Sequence, residues 1–404
     1  MRADIQPVVQ RTFFQYGWLL PTLLPITHAG GRAAYLILAG IYVLWGLAAL
    51  YRAPVQLNRA FYWAIVLWAV LLCSYLPGAW YAYDSWRAFD KWIGFAYQTL
   101  VFPLTLIVLC QGGDRLQRLT VMLGLGGLIT VLALYARLLF DITAPDFEPE
   151  FYLREDNLPW LLPFMLAWFM TVLRPVYGYT LLPICLAAVL AYIFWSDGRS
   201  ALLGVTLSLA VYALIGLGWN VLWTACAAIG IFVFGVIEQS DRFLRLVTEH
   251  SDLHGLLRAI TSFRSVLWQR AIENPPDSFW WGIGMGNLRY ETALMQVGGL
   301  HLGHLHNFLL DAWYETGIVG LFALLLFIAF PLLRLGRYWC SLTLSEQRLA
   351  GIYLAAVAAL LSAALFSFSY NSKQFAMYLL LMLVVLLYLA ESARVRANKQ
   401  PSST

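Results

Sequence analysis

About twelve runs of apolar residues, each near the length that crosses a ~30 Å hydrocarbon core, leave this chain one solvent to fold in, a lipid bilayer. The runs fall near 13–31, 34–51, 60–77, 92–110, 119–136, 158–173, 177–195, 200–217, 219–237, 307–333, 349–370 and 374–391. Hydrophobic residues make up 61% of the 404 and charged residues 12%, which sets the chain apart from ordinary soluble domains. Backbone amides in hydrocarbon must bond within their own segment, and runs of this length do so as helices. An all-α integral membrane protein is expected. The sixth run is short enough to be tilted or re-entrant, and the tenth is long enough to bend near Pro331. No small-residue cleavage pattern follows Met1 to Arg11, so a cleavable signal is not expected.

Orientation follows from the cations. A cytoplasmic N-terminus collects Arg2, Arg11, Arg52, Arg59, Arg115, Arg118, Arg174, Arg334, Arg337, Arg348, Arg394, Arg396 and Lys399 on one side. The short connections opposite carry only Arg32, Arg87, Lys91, Arg137, Arg154, Arg199 and Lys373. The positive-inside rule then puts both termini in the cytoplasm and residues 238–306 outside. Three parts are expected: a bundle over 1–237, an outer helical loop over 238–306, and a second bundle over 307–404. The net charge of +4 reflects this asymmetry and gives no reason to expect a nucleic-acid partner. Cys73, Cys110, Cys185, Cys226 and Cys340 lie in or beside apolar runs without paired spacing, so neither disulfides nor a thiolate metal site is indicated. Trp80, Trp280 and Trp281 sit where an interfacial aromatic belt requires them.

The outer segment reads as helix over 242–273. Ile260, Phe263, Leu267 and Ala271 make one apolar stripe, and Asn274-Pro275-Pro276-Asp277 ends it. Arg242, Arg245 and Arg270 there are ordinary solvated charges by default, as are Arg258 and Arg289. Arg264 differs, because Phe263, Leu267 and Trp268 surround it, and a guanidinium held against apolar neighbours suits a fixed phosphate contact. Arg199, in the turn Ser196-Asp197-Gly198-Arg199-Ser200, stands where a helix start directs free N–H groups outward; snorkelling or pairing with Asp197 is the plainer alternative.

His306-Asn307 is followed nine residues later by Gly317, with Gly320 beyond it, at the edge of the tenth run. On a continuous helix, residues eleven apart differ by roughly 20°, so His306 and Gly317 are expected to share a face. The same arithmetic turns Asp311 and Glu315 away from His306 and predicts for them a structural pairing with an arginine of another span. His301, His304 and His306 admit a metal reading, but no cysteine or suitably placed carboxylate completes the set. Asp141, Asp146, Glu148, Glu150, Glu155 and Asp156 read as a solvated loop or lid. Gly282, Gly284 and Gly286 follow a helix and two tryptophans, not a strand, so they indicate a tight turn and not a dinucleotide fingerprint.

These residues together resemble the O-antigen ligase family. The resemblance rests on His306-Asn307…Gly317…Gly320, on Gly198-Arg199-Ser200, on Arg264 in the outer loop, and on Trp280-Trp281-Gly282-Ile283-Gly284-Met285-Gly286. About twelve spans with the large loop before the histidine span, a GT-C-like arrangement, match as well. The resemblance implies transfer of a preassembled glycan from undecaprenyl pyrophosphate to a sugar hydroxyl of lipid A–core, on the periplasmic face of a Gram-negative inner membrane. It implies no cofactor and no metal. The family's catalytic histidine corresponds to His306 and its essential arginines to Arg199 and Arg264, with Arg258 a competitor for the second place. Asn307, His304, Asp311, Glu315, Gly317 and Gly320 are secondary candidates.

The chemistry fits the residue types. Guanidinium groups stabilise charge growing on a leaving pyrophosphate, and imidazole accepts the acceptor's proton. A helix start disfavours imidazolium, which would keep His306 able to accept that proton. Rival readings are an O-antigen polymerase or a protein-glycosylating ligase of the same superfamily. A lipid or glycan transporter is a more distant one, since it would place its polar groups at the bilayer midplane.

Overall fold

The computed structural model describes residues 5–23, 31–51, 57–110, 114–143, 155–196, 198–215, 230, 264–297, 300–370 and 372–399. The elements are α1 (Ile5–Tyr16), α2 (Gly31–Leu50), α3 (Arg59–Tyr75), α4 (Ser85–Thr99), α5 (Val101–Leu109), α6 (Asp114–Thr143), α7 (Leu158–Val172), α8 (Pro175–Trp195) and α9 (Arg199–Ile215). After these come α10 (Arg264–Glu273), the single turn α11 (Thr292–Met295), the ribbon β1 (Gln296–Val297) with β2 (Leu300–His301), α12 (Phe308–Arg337), α13 (Leu344–Ala364) and α14 (Lys373–Lys399).

Among the described residues, six segments are long and apolar enough to cross a membrane: Arg59–Trp80, Ser85–Leu109, Arg115–Leu139, Phe308–Arg337, Leu344–Ala364 and Phe375–Asn398. Shorter apolar helices cover Leu36–Leu50, Leu158–Val172, Thr180–Trp195 and Ser200–Ile215. The helices follow the apolar runs closely; the run at 219–237 lies outside the described residues. The first run is divided, because α1 already ends at Tyr16.

The last helix is the axis of the bundle. The span within α14 is 89% buried, with α12, α13 and α5 packed around it. Helix α7 is only fifteen residues long yet almost wholly buried, enclosed by α6, α9 and α13. At roughly 1.5 Å per residue it falls short of a bilayer's thickness, which an enclosed helix tolerates. At one end of the bundle, Arg334 and Arg394 both pair with the buried Glu391, and Arg396 pairs with Glu346. The opposite end carries the His306 loop.

The decisive departure from the sequence reading is a break in α12. Gly317 takes φ 67° and ψ −175°, while the dihedrals stay helical at Pro331. In an unbroken helix the amides of Ile318 and Val319 would bond to the carbonyls of Tyr314 and Glu315. Here they bond instead to Phe279 O at 3.1 Å and Trp280 O at 3.3 Å. The vacated carbonyls are taken by Ile283 N–H at 3.1 Å and Gly284 N–H at 2.9 Å. The segment 279–284 is thus inserted into the helix, and these two amides and two carbonyls all find new partners, as burial requires.

Two glycines permit the crossing. A Cβ on Gly317 would stand 2.2 Å from Trp280 O, and one on Gly282 would stand 2.5 Å from the carbonyl carbon of Glu315. The dihedrals at Gly317 are in a region open almost only to glycine. Gly317→Ala is therefore expected to cost about 1–3 kcal/mol in backbone strain, with the collision added. Gly336→Ala, a helical position with open space around it, is expected to gain roughly 0.5–1 kcal/mol. Unfolding of the purified protein in detergent measures both, and matching midpoints for the two variants would contradict this account.

Candidate active site

His306 is not on α12. It precedes the N-cap and takes φ 54°, so the expected helical face shared with Gly317 does not exist. The left-handed region costs a non-glycine residue free energy, though histidine enters it more readily than most. Neighbouring hydrogen bonds hold it there. Asn307 caps the helix, its Oδ1 accepting from Leu309 N–H at 3.0 Å and Leu310 N–H at 3.2 Å. Asp311, fully buried one turn in, reaches back to accept from Leu305 N–H at 2.7 Å. The amide of His306 donates to His304 Nδ1 at 3.1 Å, and the two imidazole rings lie 3.9 Å apart. His304 Nδ1 is also 3.8 Å from Asp311 Oδ2. Asp311 thus fixes the backbone just before His306, contrary to the expectation from helical arithmetic.

An accepting Nδ1 on His304 requires the proton of its neutral ring to sit on Nε2. Protonation would turn that acceptor into a donor facing Asp311. His304 therefore has two hydrogen-bonding states, and only the neutral one supports the His306 amide.

Beside His304 opens a cavity of about 340 Å³, lined by Arg87, Lys91, Gly286, Arg289, Gly303, His304, Glu315 and Ser369. Two segments distant in sequence build its basic wall. Asp84 caps α4 by accepting from Arg87 N–H at 2.9 Å. Buried Asn287 clamps the same residue twice, with Asp84 N–H donating to its Oδ1 at 2.7 Å and its Nδ2 donating to Asp84 O at 3.1 Å. Arg87 Nε donates to Gly286 O at 2.9 Å. Glu315, also buried, accepts from the Tyr370 hydroxyl at 2.8 Å. The amides of Gly286 and Leu288 also bond to it, and the charge of Lys91, on α4, acts on it. Burial, then the charge of Glu315, raises the Tyr370 phenol well above its ordinary range, so it remains a donor.

The sequence candidates are distributed around this centre. Arg264 opens α10, one turn before Trp268, whose indole N–H donates to Leu305 O at 2.9 Å beside His306. Helix α10 begins there among the described residues, so the part of the expected helix over 242–263, Arg258 included, lies outside them. Asn274 ends α10 as expected, its N–H bonded to Arg270 O at 2.9 Å. Beyond it the loop is largely non-helical, holding one 3-10 turn, α11 and the β ribbon, where more helix was expected. Glycines 282, 284 and 286 form the expected tight turn, all with positive φ.

Arg199 is the first residue of α9, and its side chain lies outside the description. A chain of contacts brings that helix start towards the histidine. Ser200 Oγ donates to Asp156 at 2.7 Å, Ser367 Oγ donates to Ser200 Oγ at 2.8 Å, and Phe366 packs on Trp268 at 5.7 Å. Asp156 is consequently a buried anchor, not part of a solvated loop. Gly320 sits where a Cβ would meet Thr316 and the Tyr75 ring.

Arg87, Lys91 and Ser369 carry no special mark in the sequence reading. Their one legible signal is Arg87 and Lys91 four residues apart at the start of an amphipathic helix, after an Asp N-cap.

The class of protein is then clear: an apolar helical bundle with a histidine loop set over a basic cavity at one end. Residues 184–325 match the family model described as O-antigen ligase. That segment includes Arg199, Arg264, His306, Gly317 and Gly320. No curated protein matches the chain.

Asp311→Ala is expected to cost about 1–3 kcal/mol, because the buried Leu305 amide loses its acceptor. Asp311→Asn keeps an oxygen there and is expected to cost less. Hydrogen exchange at the Leu305 amide checks the assignment: it should accelerate in the alanine variant and much less in the asparagine one.

Proposed function

We propose that the protein is a membrane glycosyltransferase that moves a lipid-linked glycan onto a hydroxyl acceptor, as an O-antigen ligase. One observation carries this reading. Within a segment matching the O-antigen ligase family, His306 is held in a strained conformation with its ring 3.9 Å from that of His304, which lines a basic cavity at one end of an apolar bundle. In the reaction proposed, the donor is a glycan on undecaprenyl pyrophosphate and the acceptor is a sugar hydroxyl of lipid A–core. His306 removes the acceptor's proton as its oxygen attacks the anomeric carbon. The bond to pyrophosphate breaks on the opposite face, inverting the centre. Arg199, Arg264 and Arg258 are proposed to stabilise the charge on the departing pyrophosphate, without metal or other cofactor. The site would face the periplasm from the inner membrane, with both termini in the cytoplasm and the surrounding lipids holding both substrates at one depth.

A second reading, O-antigen polymerase or protein-glycosylating ligase, shares all of this except the acceptor. Deletion of the gene separates them through the glycans that result. Loss of the long lipopolysaccharide ladder, with polymer retained on the carrier, is expected of a ligase; single repeats on the carrier would indicate a polymerase, and unchanged profiles would overturn both readings.

General-base assistance contributes typically 10²–10⁴-fold. His306→Ala is expected to lose about that factor in ligation rate while still binding donor. Near-normal transfer by the purified variant would remove the base assignment.

A further inference from the structure

The three cations lining the cavity, Arg87, Lys91 and Arg289, are not the arginines that the reading above assigns to the pyrophosphate. We propose that they form a separate anion-binding subsite, which holds a phosphoryl group of a membrane-borne substrate beside His304 and His306.

The wall is built for that purpose in three respects. Arg87 and Lys91 are four residues apart on the first turns of α4 and so present one face. Arg87 is fixed by its Nε bond to Gly286 O at 2.9 Å, which uses one of the five N–H donors of a guanidinium. Gly286, at φ 74°, clears space for both cations, since a Cβ there would lie 2.9 Å from Lys91 Cγ and 3.4 Å from Arg87 Nε.

The carboxylate in the wall does not cancel this charge. Glu315 is directed into the protein, where the Tyr370 hydroxyl and the amides of Gly286 and Leu288 bond it. Beside Lys91, which acts on Glu315, Arg87 and Arg289 bring two guanidinium groups to the lining. A phosphoryl group suits two guanidinium forks and an ammonium better than a neutral sugar does, because its several oxygens accept from more than one of them. The volume of about 340 Å³ exceeds what one phosphate fills and lies within the range of pockets that take whole small ligands.

The direction of approach is marked as well. Trp80 and Tyr83, just before the same helix, and Trp86, in its first turn, are 80%, 84% and 80% exposed, as rings lying at the level of lipid headgroups are. A phosphate carried at that depth reaches Arg87 and Lys91 without leaving the membrane surface. This inference rests on the transferase reading only for the origin of the phosphate. It is either the carrier's pyrophosphate or an anionic substituent on the acceptor.

The test uses the full chain purified in detergent, as wild type and as Lys91→Met, Arg289→Gln and Lys91→Arg. Inorganic pyrophosphate is the probe, and thermal unfolding is the readout. Pyrophosphate is expected to raise the wild-type transition. The first two variants should need about 10-fold to 100-fold more of it, as loss of one charge-assisted contact implies, and Lys91→Arg should need little more than wild type. No effect on wild type, or an equal effect on every variant, would overturn the subsite. Substrate kinetics on the same proteins assign the source. A raised donor KM with unchanged acceptor KM identifies the carrier pyrophosphate, and the reverse identifies an acceptor substituent. Pyrophosphate binding that depends on Lys91 and Arg289 in a protein without transfer activity would keep the subsite and remove the transferase reading.

Discussion

The exchange of four backbone hydrogen bonds at Gly317 is the constraint on which the rest of this end of the molecule depends. A transmembrane helix normally answers its own amides, and a break inside a bundle leaves donors and acceptors that water does not reach. Here the loop strand 279–284 supplies both. The arrangement ties the histidine loop, the glycine turn and the 3-10 segment Pro77–Trp80 into one joint, where a Cβ on Gly78 would fall 2.6 Å from Trp281 O. The first half of α12 is thereby freed from the direction of the second. It carries Asp311 and Glu315 inward, one towards Leu305 and the other towards Tyr370.

The strain at His306 becomes intelligible in this setting. A residue in the left-handed region persists only when its surroundings over-determine it. Asn307 holds the helix start after it, Asp311 holds the amide before it, and Trp268 holds the intervening carbonyl from α10. A small apolar cluster of Leu267, Ala271, Ile283, Leu288, Leu294, Met295, Leu305 and Tyr314 lies beneath these bonds. Positioning of the imidazole is therefore spread over several weak contacts drawn from α10 and α12. Such spreading suits a group that must keep its place while substrates come and go.

Much of the fold was legible because hydrocarbon imposes long apolar runs, and runs of that kind identify helices without any pairing information. Asn274-Pro275-Pro276 as a stop was readable for a local reason, since its effect acts within a turn. The break at Gly317 was not, because its cause lies some thirty-five residues upstream in the chain. Helical arithmetic failed at His306 and Asp311 for a different reason: His306 lies before the N-cap at φ 54°, off the helix that the arithmetic assumed. Asp156 was misread because its partner Ser200 is distant in sequence, and an acidic run looks alike whether solvated or anchored. Arg87 and Lys91 passed as connection charges because Asn287, which brings the cavity wall to them, is two hundred residues away.

The division of polar groups between the two ends of the bundle has a physical consequence. At the Arg334 end, cations are matched with carboxylates: Glu391 serves two arginines and Glu346 serves Arg396. Such pairing locks helices together and leaves little field outside. At the His306 end the buried carboxylates are occupied by amides and a phenol instead, at Leu305, Gly286, Leu288 and Tyr370. Neutral donors satisfy much of the Glu315 carboxylate, Lys91 acts on it as well, and the guanidinium groups of Arg87 and Arg289 line the same cavity.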